Sequence, residues 1–225
     1  SRARLRDDAS VKALLPLLKM DASLHNLVWS LFAETPKQKR NFLFRDAGED
    51  GVYVLSSRRP HDAHNLFDLD EPKEFSPCLA PGDRLRFSLR ANPVIRRRDP
   101  NADRKSKKRD VVMDVLRHIS PGPERAAERR KLTWRSGHGW LVRQGQKNGF
   151  AIETEEAPAT NSLRIDGYRQ HSIFRKQGQR PLQYSSLDFD GELTVTDPDQ
   201  FLNALYQGFG SARSYGCGLM LIRRA

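Results

Sequence analysis

Leu79-Ala80-Pro81-Gly82-Asp83-Arg84-Leu85-Arg86-Phe87-Ser88-Leu89-Arg90-Ala91-Asn92-Pro93 is the stretch on which the reading of the fold turns. Leu85, Phe87, Leu89 and Ala91 alternate with Arg84, Arg86, Ser88 and Arg90. That two-residue period belongs to a strand with one face in a core and the other, carrying three arginines, open. Pro93 ends it, since proline has no N–H for the next ladder bond.

Upstream, Ser1-Arg2-Ala3-Arg4-Leu5 reads as the interior of a strand. Val11, Leu14, Leu15 and Leu18 predict a short helix over Asp7–Lys19, broken or bent near Pro16. Asp21 or Ser23 caps a second helix running to Phe32 or Ala33. Its apolar residues Leu24, Leu27, Val28, Leu31 and Phe32 recur on one face. Two strands, Asn41–Arg45 and Val52–Ser57, flank the turn Gly48-Glu49-Asp50-Gly51, and a polar loop covers Arg58–Pro77.

Downstream, helical signals lie at Glu124–Lys131 and Trp140–Gln146, the latter closed by Gly149. Strands are expected at Phe150–Thr154, Leu163–Arg175 (with a bulge) and Leu182–Thr196, with a hairpin tip at Lys176–Arg180. Asp197-Pro198-Asp199 starts a helix: a cap, a proline in the first turn and an acid favoured by the dipole. Gly208 stops it, and Leu219–Arg223 forms a last strand. The element order predicts an α+β chain of two tandem ferredoxin-like (RRM-like, βαββαβ) domains. The expected division is residues 1–95, a basic linker at 96–110, and residues 111–225.

The charge points to the partner class. Lys and Arg number 39 against 28 Asp and Glu, for a net charge of +11. Clustered cations bind polyanions by releasing condensed counterions. Arg96 to Arg109 alone holds eight Lys/Arg against two Asp, too charged to pack and expected to be mobile without its partner. No apolar run spans a bilayer, and no signal-peptide pattern opens the chain. Cys78 and Cys217 stand far apart and outside any CxxC pair, which argues against a disulfide framework or zinc site and fits a reducing cytoplasm.

Gly208-Phe209-Gly210-Ser211-Ala212-Arg213-Ser214-Tyr215-Gly216-Cys217-Gly218-Leu219 joins the last helix to the last strand. Its glycines let backbone approach a phosphate, and they equally suit a plain tight connection. It is no Walker loop, lacking Gly-Lys-Ser/Thr. None of the six histidines forms HxH or HExxH, and no acidic cluster resembles a two-metal site, so no metal or other cofactor is expected. RNA cleavage by such a chain is then simplest by 2′-hydroxyl attack, with side chains moving the protons. His25 lies at the edge of an apolar stripe, where it is either structural or half-shielded and reactive. No aromatic RNP1-like string is present, which disfavours an RNA-recognition module of the splicing type.

Several of these segments resemble the CasE family of type I-E CRISPR RNA endoribonucleases in the RAMP superfamily. They are the Leu-Arg-Ala-Asn-Pro core of the opening stretch, the loop Gly208 to Leu219, Leu24-His25 with Trp29 and Leu31-Phe32, and Asp188-Phe189-Asp190-Gly191-Glu192-Leu193. The resemblance implies a metal-independent nuclease that binds and cuts CRISPR repeat hairpins, leaving a 2′,3′-cyclic phosphate and a 5′-hydroxyl. It implies that the enzyme keeps the mature guide RNA and joins the other Cascade subunits, meeting DNA only through that complex. His25 is then the catalytic histidine, as acid or base. Several relatives carry a tyrosine three residues before it; here that position is Ala22. Lys37, Lys39 and Arg40 are candidates for steadying the phosphate. A basic hairpin with Arg175, Lys176, Arg169 and Arg180 is expected in the RNA groove. Arg84, Arg86, Arg90, Arg213, Gly208, Gly210, Gly216 and Gly218 are expected to contact RNA. The alternative is a subunit that holds the hairpin without cutting it.

Overall fold

In the computed structural model the opening stretch forms β5 (Arg84–Ala91), with Leu85, Phe87, Leu89 and Ala91 buried as the alternation predicts. The structure describes residues 1–10, 14, 23–32, 40–97, 107–152, 163–173, 178 and 180–225. The expected helix at 7–19 lies almost wholly outside them, as do Ala22, Lys37, Lys39, Arg175 and Lys176.

The first unit contains β1 (Arg2–Leu5), α1 (Ser23–Ser30), β2 (Phe42–Asp46), β3 (Val52–Ser56) and β4 (Phe67–Leu69). Its sheet order is β2-β3-β1-β4, antiparallel throughout. Numbered by appearance, that is the 4-1-3-2 order of a ferredoxin-like sheet. β4 corrects the reading of 58–77 as an uninterrupted loop. Three residues are too few to show a period, but their backbone completes the edge of β1. The apolar stripe of α1 packs Leu27, Val28 and Leu31 into a core with Phe42 and Phe44.

The second unit begins earlier than the division at 95 and 96. β5 pairs with β10 (Leu182–Val195) and β11 (Met220–Arg224), and β9 (Arg164–Ile173) pairs with the far edge of β10. The order β11-β5-β10-β9 is again 4-1-3-2, and β5 is its first strand. Position along the chain suggested the first unit; the ladder places the strand in the second. The short β8 (Phe150–Ala151) extends the same edge of β10. The expected bulge falls where the β9–β10 register shifts, beside Gly167 at φ 65°.

Two further readings are corrected. The basic segment 96–110 is not wholly a linker: its ends belong to a hairpin, β6 (Val94–Arg97) with β7 (Lys107–Asp110). The buried carboxylate of Asp114 gathers Arg97 at 3.0 Å, Arg109 at 3.5 Å and Arg117 at 3.4 Å. That pins the hairpin base onto α2 (Val111–Leu116), which Asp110 caps by accepting from the Met113 N–H. The two helices expected at 124–131 and 140–146 are one 26-residue helix, α3 (Pro123–Asn148). Gly137 interrupts its apolar pattern because the helix crosses the sheet there: an added Cβ would lie 2.8 Å from Leu187 and 2.9 Å from Ile165. The last helix, α4 (Pro198–Gln207), starts at the predicted cap, with Asp197 accepting from the Gln200 N–H.

Candidate active site and nucleic-acid interface

The stripe of α1 faces its own sheet, and this turns His25, at the stripe's edge, toward the second unit. The ring centroid of His25 lies 6.5 Å from Phe44, 6.0 Å from Trp29 and 6.0 Å from Tyr215 of the Gly-rich loop. Its Nδ1 is buried with no hydrogen-bond partner among the described residues. Burial holds the imidazole below its ordinary value of 6.5, the positive charge of Arg40 lowers it further, and a hydrogen bond with the Ser214 backbone opposes both. His25 is therefore neutral and proton-accepting near pH 7.

Arg40 stands just before β2. Its guanidinium is lowered by burial and by Arg213, and its buried Nη1 has no partner among the described residues. A half-buried cation with an unsatisfied donor is a site for an anion, which would supply the acceptor that the described residues do not.

The Gly-rich loop closes the other side. Gly208 at φ 76° would place a Cβ 2.9 Å from Leu43, and one on Gly216 at φ 79° would meet the Phe44 ring at 3.2 Å. These glycines let the loop seat against β2 of the first unit. Gly210 and Gly218 are likewise crowded by protein backbone, from Asn92 and Phe209. Arg213 turns inward: its Nε donates to the Gly210 carbonyl at 3.2 Å and its Nη1 to that of Gln207, the last residue of α4. The expected phosphate-cradling loop is thus foremost a joint between units.

A cleft of about 500 Å³ lies between His25, Phe44, Arg90, Arg169, His171, Tyr184 and Tyr215. A second, of about 830 Å³, continues past the same aromatic rings to Lys108 and Ser211. The rings form a chain. His171 stacks on Tyr184 at 4.5 Å and 12°, and Tyr184 on Tyr215 at 5.3 Å and 21°. Sequence reading passed over His171, Tyr184 and Tyr215. His171 and Tyr184 meet because they are register partners across β9 and β10, and register across an irregular hairpin has no local signature.

The arginine face of β5 is real but not bare. Arg90 makes a two-pronged bond to Asp188 at 2.8 and 3.0 Å, and Arg84 and Arg86 share Glu192. The acids arrive from β10, directly across the ladder or two residues along on the same face. Arg169 is exposed at the His25 cleft, and Arg180 is exposed at the entry to β10. Among the described residues no three His, Cys, Asp or Glu side chains gather as metal ligands, and no helix is long and apolar enough to cross a membrane.

Two ferredoxin-like sheets, with the helix-to-strand glycine loop of one seated beside a histidine helix of the other, define a double ferredoxin-like α+β protein with a histidine cleft at the junction. The chain belongs to the CRISPR associated protein family, whose model matches residues 1–224. It is 31% identical over 155 residues to the CRISPR-associated endoribonuclease Cse3 of Thermus thermophilus, covering 67% of this chain and 61% of that relative. It is 26% identical over 201 residues to the Cascade subunit CasE of Escherichia coli, covering 88% of each. The structure of Thermus thermophilus Cse3 bound to an RNA representing a pre-cleavage complex shares the fold. Its TM-score is 0.69 at 24% identity, over 98% of this chain and 97% of that one.

Proposed function

We propose that this chain is a metal-independent endoribonuclease that binds CRISPR repeat hairpins in precursor RNA and cleaves them. The 2′-hydroxyl attacks the adjacent phosphate, giving a 2′,3′-cyclic phosphate and a 5′-hydroxyl. The protein then stays on the mature guide RNA within Cascade, in the cytoplasm. The observation that carries the reading is His25, half-buried at the junction cleft and beside the unsatisfied guanidinium of Arg40. His25 moves a proton, and Arg40 meets the charge that builds on the phosphate.

The hairpin between β9 and β10 supplies RNA contacts. Arg169 stands at the cleft and Arg180 at the entry to β10; Arg175 and Lys176, which lie between them in sequence and outside the described residues, remain candidates for the same contacts. Arg84, Arg86 and Arg90 add contacts by exchanging their acid partners for phosphates. Gly208, Gly210, Arg213, Gly216 and Gly218 act on RNA by setting the loop that walls the cleft. Lys37 and Lys39, outside the described residues, remain candidates for the same phosphate as Arg40. Labelled repeat RNA on a denaturing gel tests the reading. A single cut at the hairpin base with a cyclic-phosphate end supports it; tight binding without a cut makes the chain a holder of the hairpin instead.

A further inference from the structure

Attack by a 2′-hydroxyl needs a base for its proton and an acid for the departing 5′-oxygen. Ala22 cannot supply the second group. The geometry points to Tyr215 as the catalytic acid, with His25 as the base, an assignment that rests on the endoribonuclease reading above.

Tyr215 has its ring centroid 6.0 Å from that of the histidine, and both side chains line the same cleft. Its position is built. The Tyr215 N–H donates to the Ala212 carbonyl at 2.9 Å, its ring stacks on Tyr184, and neighbouring Gly216 packs on Phe44. Its hydroxyl makes no hydrogen bond among the described residues and is available to a substrate oxygen. A phenol can donate as well as accept.

The other candidates in the cleft are worse placed. Tyr184 is sandwiched between two rings, and burial pushes its phenol up to about 12, so it gives up a proton less readily. His171 lies on the far side of Tyr184 from Tyr215 and bonds Ser186 Oγ at 2.8 Å. Burial, Arg90 and Arg169 all lower it, which disfavours the imidazolium that would serve as the acid.

The step balances without a co-reactant. A ring nitrogen of His25 takes the 2′-hydroxyl proton as the 2′-oxygen bonds to phosphorus. The bond from phosphorus to the 5′-oxygen breaks, and the Tyr215 phenol passes its proton to that oxygen. The proton on His25 then returns to the phenolate, directly or through water.

Tyr215→Phe keeps the ring and its stacking and removes only the hydroxyl. The test uses two repeat RNAs in single-turnover cleavage: the natural one, and one with a bridging 5′-sulfur at the scissile phosphate, a leaving group that needs no acid. Tyr215→Phe is expected to slow the natural substrate by about 10²-fold or more, to cut the sulfur substrate at the wild-type rate, and to bind both as the wild type does. His25→Ala is expected to be slow on both. Wild-type rates for Tyr215→Phe on the natural RNA overturn the proposal, and so does an equal defect on both RNAs, which marks a structural role. Failure of the wild-type protein to cut either RNA overturns the endoribonuclease reading itself.

Discussion

His25 reaches the cleft because a helix can bury only one stripe, and the histidine sits at the border of that stripe. Its replacement by alanine is expected to slow single-turnover cleavage by about 10²–10⁴-fold while leaving repeat affinity nearly unchanged. Cleavage at the wild-type rate would remove it from the site. The direction of its pKa sets a pH dependence. The neutral imidazole is the base, and burial and Arg40 both disfavour its charged form. The acid limb of the kcat/KM profile, which reports the free enzyme, should therefore have its midpoint below 6.5. Arg40→Ala removes one of the two lowering influences. It should move that midpoint up toward 6.5 and also lower the plateau, because the phosphate loses a cation. A midpoint that stays in place would separate Arg40 from His25. The same shift bears on stability: a histidine lowered in the fold contributes above its unfolded value, and that contribution is lost as pH falls through the folded one.

At the scale of elements, α3 shows how packing overrides local propensity. Glycines at 137, 139 and 145 lower the helix tendency of its second half, yet the helix runs unbroken to Asn148 because its buried face lies on the sheet. Gly137→Val is expected to destabilise the fold by about 1–3 kcal/mol, the usual cost of forcing extra atoms into a filled core. The added side chain collides with Leu187 and Ile165. The check is a lower denaturant midpoint at unchanged slope; a stability equal to wild type would mean that α3 moves off the sheet freely. The hairpin of β6 and β7 makes a related point. Besides Ile95, which packs against the second core, one buried carboxylate, Asp114, anchors it by holding three guanidiniums.

For the whole molecule, the site belongs to neither unit alone. α1 and β2 bring His25 and Phe44, with Arg40, just ahead of β2, close enough to His25 to act on its charge; β9, β10 and the Gly-rich loop bring His171, Tyr184 and Tyr215. Chemistry by the 2′-hydroxyl across such a junction is expected to continue in excess EDTA. A substrate with a 2′-deoxy sugar just upstream of the cut should be inert. Loss of cleavage in EDTA that added magnesium restores, or cutting of the deoxy substrate, would sink this mechanism.

Much was legible in the residues themselves. The alternation through Arg84–Ala91, the one-sided stripe around His25, the cap at Asp197 and the motif strings of the loop are local, and local sterics and hydrogen bonding suffice to produce them. Membership of β5 in the second sheet was not legible, because a strand's pattern says which face is buried but not which strand it pairs with. Nor were the acids opposite the arginines, whose pairing follows from register with β10, about a hundred residues away in the chain. The ring chain from His171 to Tyr215 has the same origin. Each depends on contacts between segments distant in sequence, and only the packed tertiary structure decides those.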